Sequence, residues 1–267
     1  MNILFDADIF LYHACTGVEE LYIWEQDLHT LVSDAREARQ RMESDLHGVQ
    51  KRVEQWLSAK LTPILCFSGA NNWRKLAFPF YKANRIFQRR PIAFRSVKEW
   101  FIKNWDCRVW EGLEADDVLG ILSTRDENDN IIISEDKDLK GIPGWLYNPA
   151  KDDHPKLISL EQADHFHMFQ ALTGDKVDGY PGCPDIGPVK ALQALGEPGK
   201  HSVPEMWERV LRLYRRSLGG LDDALADEIA TTQAKVARIL REGEWDFEKK
   251  ECLWNPPVIA AGQPQVT

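Results

Sequence analysis

The sequence predicts an α/β protein in which helices flank a central, mostly parallel β-sheet. Along residues 1–158, short apolar runs alternate with segments of helical periodicity. Strands that alternate with helices are typical of parallel sheets. After residue 158 the pattern changes to helices. A chain of 267 residues is long enough for one large domain of this class or for two small ones.

Short apolar runs predict the strands of the sheet. The first is NILF, which ends at Asp6, and the strongest is NIIISEDKDL, whose β-branched residues run into a pair of acids. The runs TPILCFSG, CRVW and WLYNP complete the predicted set.

Helical spacing and capping patterns predict the helices. Apolar residues at helical spacing predict a long amphipathic helix from about Asp27 to Lys60, packed on the sheet. We expect Ser96 to cap a helix over VKEWFIKNW, and a helix with acids in its first turn over EGLEADDVLGILSTRDEN. In SLEQADHFHMFQALTG, Ser159 and Gln162 form a capping-box pattern. Further helices are predicted over GPVKALQALG, 203–218 and 221–242.

The composition excludes several classes of protein. The chain is 43% hydrophobic and 28% charged, which is ordinary for a folded protein, and it has no apolar run of about 18 residues, so we expect no membrane span. Acids at positions 6 and 8 do not fit a secretory signal, which favours a cytoplasmic location. The five cysteines are scattered and form no C-x-x-C pair, so neither a disulfide framework nor a zinc site is predicted.

One segment of this acidic chain is strongly basic. The net charge of −9 argues against a general nucleic-acid coat protein. Residues 71–95, which we call the basic segment, nevertheless contain seven basic residues and no acid, with aromatic residues interleaved. This combination predicts a local anion-binding surface. The seven are Arg74, Lys75, Lys82, Arg85, Arg89, Arg90 and Arg95.

Eight acids occur where predicted elements begin or end. Asp6 and the pair Asp136 and Asp138 follow strands, and in an open parallel sheet the carboxyl ends of strands meet at one edge. The remaining five acids stand at predicted helix ends, at spacings that place Glu114 with Asp117, and Asp175 with Asp178, on common helical faces. The eight are Asp6, Glu114, Asp116, Asp117, Asp136, Asp138, Asp175 and Asp178.

Crowded carboxylates predict a site for divalent cations. Mg²⁺ fits, because it prefers oxygen ligands and needs few carboxylates per ion. Two ions about 3.5–4 Å apart would bind a phosphodiester and activate a water molecule. The alternative is that each acid merely complements a helix dipole, which is common for any single one of them.

Five stretches of the chain carry a resemblance to a known family. They are ILFDADIFLYHA, FPFYKANR, LEADDVLG, ISEDKDLKG and LTGDKVDGYPGCPDIGPVKALQAL, in the family's order over residues 3 to about 195. The chain resembles the 5′-nuclease, or flap endonuclease, superfamily, which includes the 5′-nuclease domain of bacterial DNA polymerase I and the phage 5′→3′ exonucleases. Its length, without an attached polymerase domain, is similar to that of the stand-alone phage enzymes.

The resemblance implies a PIN-like core with two DNA-binding additions. Residues 1–158 would form the nuclease core, in which the basic segment belongs to a helical arch over the active site. Residues 159–255 would form a helical region with a helix–hairpin–helix element, which grips duplex backbone and in some family members holds K⁺. Residues 256–267 would be a flexible tail.

The resemblance also implies roles for individual residues. Lys82 and Arg85 would hold the scissile phosphate. The ligands of a first Mg²⁺ or Mn²⁺ ion would be Asp6, Glu114, Asp116 and Asp136. Asp138, Asp175 and Asp178 would surround a second ion, with Asp117 nearby. The residues implied to contact DNA are Arg74, Lys75, Arg89, Arg90, Gly182, Gly187 and Lys190.

One position departs from the family pattern. The family usually has an aspartate after the second core strand, where LCFSGANN has Ser68. Either the first ion loses a carboxylate there, or Asp8 partly compensates.

The resemblance implies a monomeric 5′→3′ exonuclease that acts on the 5′ ends of duplex DNA or of RNA in hybrids, in the host cytoplasm if it is phage-encoded. Two alternatives stay open at this point: a non-cleaving DNA-structure-binding protein of the same fold, and a PIN-like RNase.

Overall fold

The computed structural model describes residues 1–125 and 130–258. The strands are β1 (Asn2–Asp6), β2 (Glu19–Glu25), β3 (Leu28–Ser33), β4 (Thr62–Ser68), β5 (Cys107–Trp110), β6 (Asn130–Ile133), β7 (Gly144–Tyr147), β8 (Lys156–Ile158), β9 (Trp245–Asp246) and β10 (Glu251–Cys252). The helices are α1 (Ala7–Thr16), α2 (Ala35–Leu57), α3 (Arg74–Ala77), α4 (Phe94–Asn104), α5 (Ala115–Arg125), α6 (Leu160–Thr173), α7 (Pro188–Leu195), α8 (Val203–Ser217) and α9 (Asp223–Ala237).

A six-stranded sheet in the order β5-β4-β1-β6-β7-β8 forms the centre of the protein. All neighbouring strands in it are parallel except β7 and β8. Successive residues of β1 point to opposite faces, so Leu4 packs in one hydrophobic cluster and Phe5 in another. Helices α1, α2 and α4 cover the Phe5 face, and α5, α6 and α9 cover the Leu4 face. The predicted fold class, a mostly parallel sheet flanked by helices, is confirmed.

Several predicted boundaries were wrong. Residues 28–33 are strand β3, which pairs with β2 in a hairpin, and the long helix begins only at Ala35, where the Asp34 side chain accepts two backbone N–H bonds. Ser96 lies inside α4 and donates to the carbonyl of Ala93, so it is not the cap. The last predicted helix ends at Ala237, and the predicted end of the helix that contains α5 lies outside the described residues.

The basic segment does not form a long arch helix. It contains the four-residue helix α3, a three-residue 3₁₀ turn at 83–85 and the start of α4. Two prolines, Pro79 and Pro91, interrupt it, and proline inside a helix removes a hydrogen bond and clashes with the preceding turn. Lys82 has a left-handed backbone conformation with φ 52°, which no helix accommodates.

The helical half packs directly on the sheet. The predicted boundary near residue 158 separates the strands of the main sheet from helices α6–α9. One hydrophobic cluster, however, contains residues from both sides, among them Leu4 in β1 and Tyr214 in α8. The capping box at Ser159 and Gln162 is present as predicted. Helices α6 and α7 are joined by residues 174–187, while the tail beyond Val258 lies outside the described residues.

Among the helices of the described residues, none combines the length and the apolar character needed to cross a membrane.

Candidate active site

The carboxyl edge of the sheet brings the first predicted acids together. Strand β1 lies between β4 and β6, so Asp6 at the end of β1 meets the residues that follow β6. Ser134 Oγ donates a 2.7 Å hydrogen bond to Asp6 Oδ2 and accepts a 3.0 Å bond from the backbone N–H of Asp136. Ser134 therefore ties Asp6 to Asp136. Sequence reasoning missed this role, although Ser134 lies just before the acids in ISEDKD.

Asp6 and Asp116 are close enough for their negative charges to interact, and these charges are poorly neutralised. Burial raises the pKa of Asp6 to about 7, and the charge of Asp136 adds to the increase. Burial also raises the pKa of Asp116 well above its usual range, with further contributions from Asp6 and Asp136. Carboxylates in this state favour a bound proton or a bound cation.

Asp138 belongs to the same group of acids through its contact with Asp136. Its backbone N–H donates to Asp136 Oδ1 at 2.8 Å, which fixes the turn after β6. Asp138 Oδ1 is buried and has no hydrogen-bond partner within the described part of the chain. Burial and the charge of Asp136 raise the pKa of Asp138 to about 6, while Lys137 opposes the increase.

Asp175 and Asp178 lie in the loop after α6 and not on a helical face, because α6 ends at Thr173. Asp175 Oδ2 accepts a 2.7 Å bond from Lys137 Nζ, and Oδ1 accepts a 2.7 Å bond from the N–H of Val177. Burial would raise the pKa of Asp175, but Lys137 and the backbone donor hold it below its usual value.

Lys82 lies between Glu114, which precedes α5, and Asp178, in the loop after α6. Its Nζ lies 2.6 Å from Glu114 Oε1 and 3.6 Å from Asp178 Oδ2. Burial would raise the pKa of Glu114, but the charges of Lys82 and Arg74 hold it at about 2. The N–H of Lys82 donates to the carbonyl of Asp178 at 2.7 Å, which holds the left-handed residue in place.

Two further groups of the basic segment reach the same acids. Tyr81 Oη lies between two carboxylates, 2.8 Å from Glu114 Oε2 and 3.0 Å from Asp178 Oδ2, and its single O–H proton is shared between these two acceptors. Arg85 Nη2 lies 2.7 Å from Asp178 Oδ1. Sequence reasoning named Lys82 and Arg85 but not Tyr81, whose one signal is its place immediately before Lys82.

Arg74 and Asp117 form a buried pair, which corrects two predictions. Arg74 is 2% exposed and Asp117 is fully buried, so Arg74 is not available to contact DNA. The guanidinium donates to both carboxylate oxygens, at 2.6 and 2.7 Å. Asp117 also accepts from Trp73 Nε1 and from the N–H of Leu240, which leaves it no free oxygen for a metal ion. Arg74 and Asp117 therefore link the first turn of α5 to the segment that follows α9.

The other predicted DNA contacts differ in how accessible they are. Lys75 and Arg90 are exposed, whereas Arg89 is paired with Glu19 at 2.6 Å. Gly182 is buried, and its N–H donates to Gln233 Oε1 at 2.9 Å, so Gly182 is not available for the predicted contact with DNA. Its positive φ of 71° instead shows why the turn needs a glycine here, since glycine adopts this conformation without strain.

Gly187 and Lys190 remain open to solvent at the start of α7. Gly187 is the residue before the first turn of the helix, and Lys190 Nζ donates to the carbonyl of Asp185 at 2.8 Å.

Within residues 1–125 and 130–258, no group of three or more His, Cys, Asp or Glu side chains is arranged to hold a metal ion. The carboxylates nearest the basic segment are paired with lysine and arginine side chains of the chain itself. Asp6 and Asp116 are the acids whose charge stays poorly neutralised, so they are the strongest candidates to hold a cation.

No family model matches the chain. It is 28% identical over 282 residues to the exodeoxyribonuclease of Enterobacteria phage T3, an alignment that covers 95% of this chain and 92% of that protein. It is 29% identical over 283 residues to the exonuclease of Escherichia phage T7, covering 95% and 93% of the two chains. The flap endonuclease Xni of Shewanella pealeana is 27% identical over 231 residues, which cover 74% of this chain and 78% of that protein.

The solved structure of T5 5′-exonuclease with bound zinc has a similar fold. The TM-score is 0.50 at 14% identity, over 89% of this chain and 99% of that one. By its sheet and the acids at the carboxyl edge, this chain has the α/β fold of that exonuclease. The likeness to the phage exonucleases over nearly their whole length, together with the flap endonuclease Xni and this shared fold, supports the resemblance to the 5′-nuclease superfamily.

Proposed function

We propose that this chain is a divalent-cation-dependent 5′→3′ exonuclease that hydrolyses phosphodiester bonds at the 5′ ends of duplex DNA. One observation carries the proposal. Asp6, Asp116 and Asp138 are buried carboxylates whose pKa values are raised, and the cationic side chain of Lys82 acts on Asp116 and contacts Glu114. The names of the relatives, exodeoxyribonuclease and exonuclease, support the same activity.

The chemistry of the acids suits a divalent cation, although their side chains are not arranged around one point in the described residues. Asp138 Oδ1 is a buried oxygen without a hydrogen-bond partner there, its nearest cation being Lys137 Nζ at 3.4 Å, and hard cations such as Mg²⁺ prefer oxygen ligands. We assign Asp6, Glu114, Asp116 and Asp136 to one ion. A second ion would be held by Asp138, Asp175 and Asp178. When bound, such ions supply charge stabilisation to the phosphoryl oxygens and lower the pKa of a water molecule.

The chain's own cations complete the site. Lys82 Nζ has three donors, and its one short contact is with Glu114 Oε1 at 2.6 Å. A second N–H of the Lys82 ammonium group can therefore donate to a phosphate oxygen. Arg85 lies at the edge of the same site. A cation at this position stabilises the charge that grows on phosphate oxygens in the transition state. Tyr81 Oη lies within hydrogen-bond distance of both Glu114 and Asp178, so its one proton favours an arrangement in which the two carboxylates stay close to it.

We propose that the segment between α6 and α7, residues 174–187, binds the backbone of duplex DNA together with the start of α7. We call this region the duplex grip. The exposed Gly187 leaves the start of α7 open, where backbone N–H groups favour an anion, and Lys190 follows on the first turn. We propose that this region acts as a helix–hairpin–helix element, with K⁺ as an additional ligand of its turn. Such contacts position the duplex and do not read its sequence.

Cleavage of labelled duplex DNA tests the function. We expect cleavage with Mg²⁺ or Mn²⁺ and none in excess chelator. Asp116→Asn should lower the rate by orders of magnitude while duplex binding remains, and Asp45→Asn, on the exposed side of α2, is the matched control. Binding without cleavage by the wild-type chain would support the non-cleaving alternative, and cleavage of RNA but not DNA would support the RNase.

A further inference from the structure

Ser68 ends β4 at the position where the superfamily pattern has an aspartate, and two neighbouring elements occupy its polar groups. Its backbone N–H donates a 2.8 Å hydrogen bond to Asp8 Oδ2. Its Oγ accepts a 3.0 Å bond from the backbone N–H of Ala115, at the start of α5. The Ser68 hydroxyl therefore caps a helix, while its backbone fixes one oxygen of a carboxylate that comes from α1.

The other oxygen of Asp8 is not satisfied in the same way. Asp8 Oδ1 is buried and has no hydrogen-bond partner among the described residues. The nearest cation is Lys98, whose Nζ lies 3.6 Å away and donates instead to the carbonyl of Ser68 at 2.8 Å. A buried carboxylate oxygen without a donor is costly, because it has lost its hydration without a replacement.

Asp8 also lies close to the proposed cation site. It stands in the first turn of α1, two residues after Asp6, and it accepts from Ser68 N–H at the end of β4, the strand beside β1. The free oxygen of Asp8 and the carboxylate of Asp6 are thus at the same end of β1.

We propose that Asp8 supplies the divalent-cation site at Asp6 with the carboxylate that Ser68 lacks, and that Ser68 positions Asp8 through its backbone N–H. The carboxylate comes from the first turn of α1 and not from the end of β4. This inference rests on the proposed function, because it assumes that a divalent cation binds at Asp6. The competing explanation is that Asp8 is only the partner of Lys98 in a structural ion pair.

Calorimetric titration of the DNA-free protein with Mn²⁺ separates the two explanations. Asp8→Asn keeps an oxygen that can accept from Ser68 N–H but removes the charge, so we expect Mn²⁺ to bind roughly 10-fold or more weakly. Asp45→Asn removes the same charge from the exposed side of α2 and should bind Mn²⁺ like wild type. Lys98→Met should leave Mn²⁺ affinity unchanged or higher, since it removes a positive charge near the site.

A relocated carboxylate gives the second test. Ser68→Asp in the Asp8→Asn background returns a carboxylate to the end of β4 and should recover most of the lost Mn²⁺ affinity. Ser68→Asp alone places two like charges together, so the metal-free Tm should fall below that of wild type. Recovery in the double variant supports the proposal even if Asp8→Asn alone is too unstable to titrate.

The outcomes distinguish this inference from the function on which it rests. If wild type binds Mn²⁺ and folded Asp8→Asn binds it equally well, Asp8 is not part of the site and the inference is wrong, while the proposed function stands. If wild type binds no divalent cation, both are wrong.

Discussion

Lys82 Nζ lies 2.6 Å from Glu114 Oε1 and thereby joins the basic segment to the acid-lined end of the sheet. The side chain of Lys82 is 17% exposed, so its charge acts in a medium where electrostatic interactions are strong. A left-handed backbone at Lys82, bonded to the carbonyl of Asp178, fixes where this ammonium group stands. This contact makes Lys82 the basic residue whose removal should most affect the chemical step.

Lys82→Ala should slow single-turnover cleavage by about 10²- to 10³-fold, as loss of one transition-state donor does elsewhere. Duplex affinity should change much less, since the phosphate contacts that position DNA are spread over other residues. Lys75→Ala, an exposed lysine of the same segment, is the control and should affect mainly the salt dependence of binding. A wild-type single-turnover rate for Lys82→Ala would remove it from the active site.

Arg74 should matter for folding and not for DNA contact. Arg74→Met leaves Asp117 as a buried, unpaired charge, and we expect the free energy of unfolding to fall by about 3–5 kcal/mol. Chemical denaturation measures this change, with the exposed Arg90→Met as control. A variant Arg74→Met that keeps wild-type stability but loses DNA affinity would restore the prediction made from the sequence.

Deprotonation of Asp6 and Asp138 should cost the metal-free protein stability as pH rises from about 4 to about 7. The pKa values of Asp6 and Asp138 are raised from 3.8 to about 7 and about 6, so between these values the folded state binds more protons than the unfolded chain. Stability then falls with increasing pH. Mg²⁺ should therefore raise the Tm more at pH 7.5 than at pH 5, in thermal scans with and without chelator. A Tm that rises over this range in chelator would contradict the assigned charge states.

Gly182 and Gly187 should behave differently when substituted. A Cβ on Gly182 would stand 2.3 Å from Gly174 N, so Gly182→Ala should destabilise the fold. Gly187 has open space around it and a φ of −88°, so Gly187→Val should fold normally. We expect it to bind duplex DNA roughly 10-fold more weakly, the cost of one hydrogen bond to a charged group. Unchanged duplex affinity in folded Gly187→Val would mean that this glycine is not at the grip.

The sequence was sufficient for the sheet but not for the finer contacts. Apolar runs predicted β1, β4 and β6, of which those of β1 and β6 end in acids, because a buried parallel strand leaves a clear local pattern. The β2–β3 hairpin was missed since Leu28, Leu31 and Val32 also fit the helical spacing of α2, and pairing with β2 decides between the two.

Part of the site could be predicted because acids at strand ends have a local sequence pattern. Asp6 and Asp136 were found in this way. Nothing in the basic segment distinguishes the buried Arg74 from the exposed Lys75 beside it, because the difference is made by Asp117, 43 residues from Arg74 in the chain. The bridging role of Tyr81 likewise depends on Glu114 and Asp178, which come together only in the folded chain.

The central claim is that this chain degrades duplex DNA from its 5′ end with the help of a divalent cation. The most direct measurement follows linear duplexes labelled at the 5′ or at the 3′ end, each with the opposite end blocked, in Mg²⁺ and in chelator. We predict short products released from a free 5′ end in Mg²⁺, no digestion in chelator and little attack on closed circles. Digestion that proceeds from the 3′ end while the 5′ end is blocked would contradict the account.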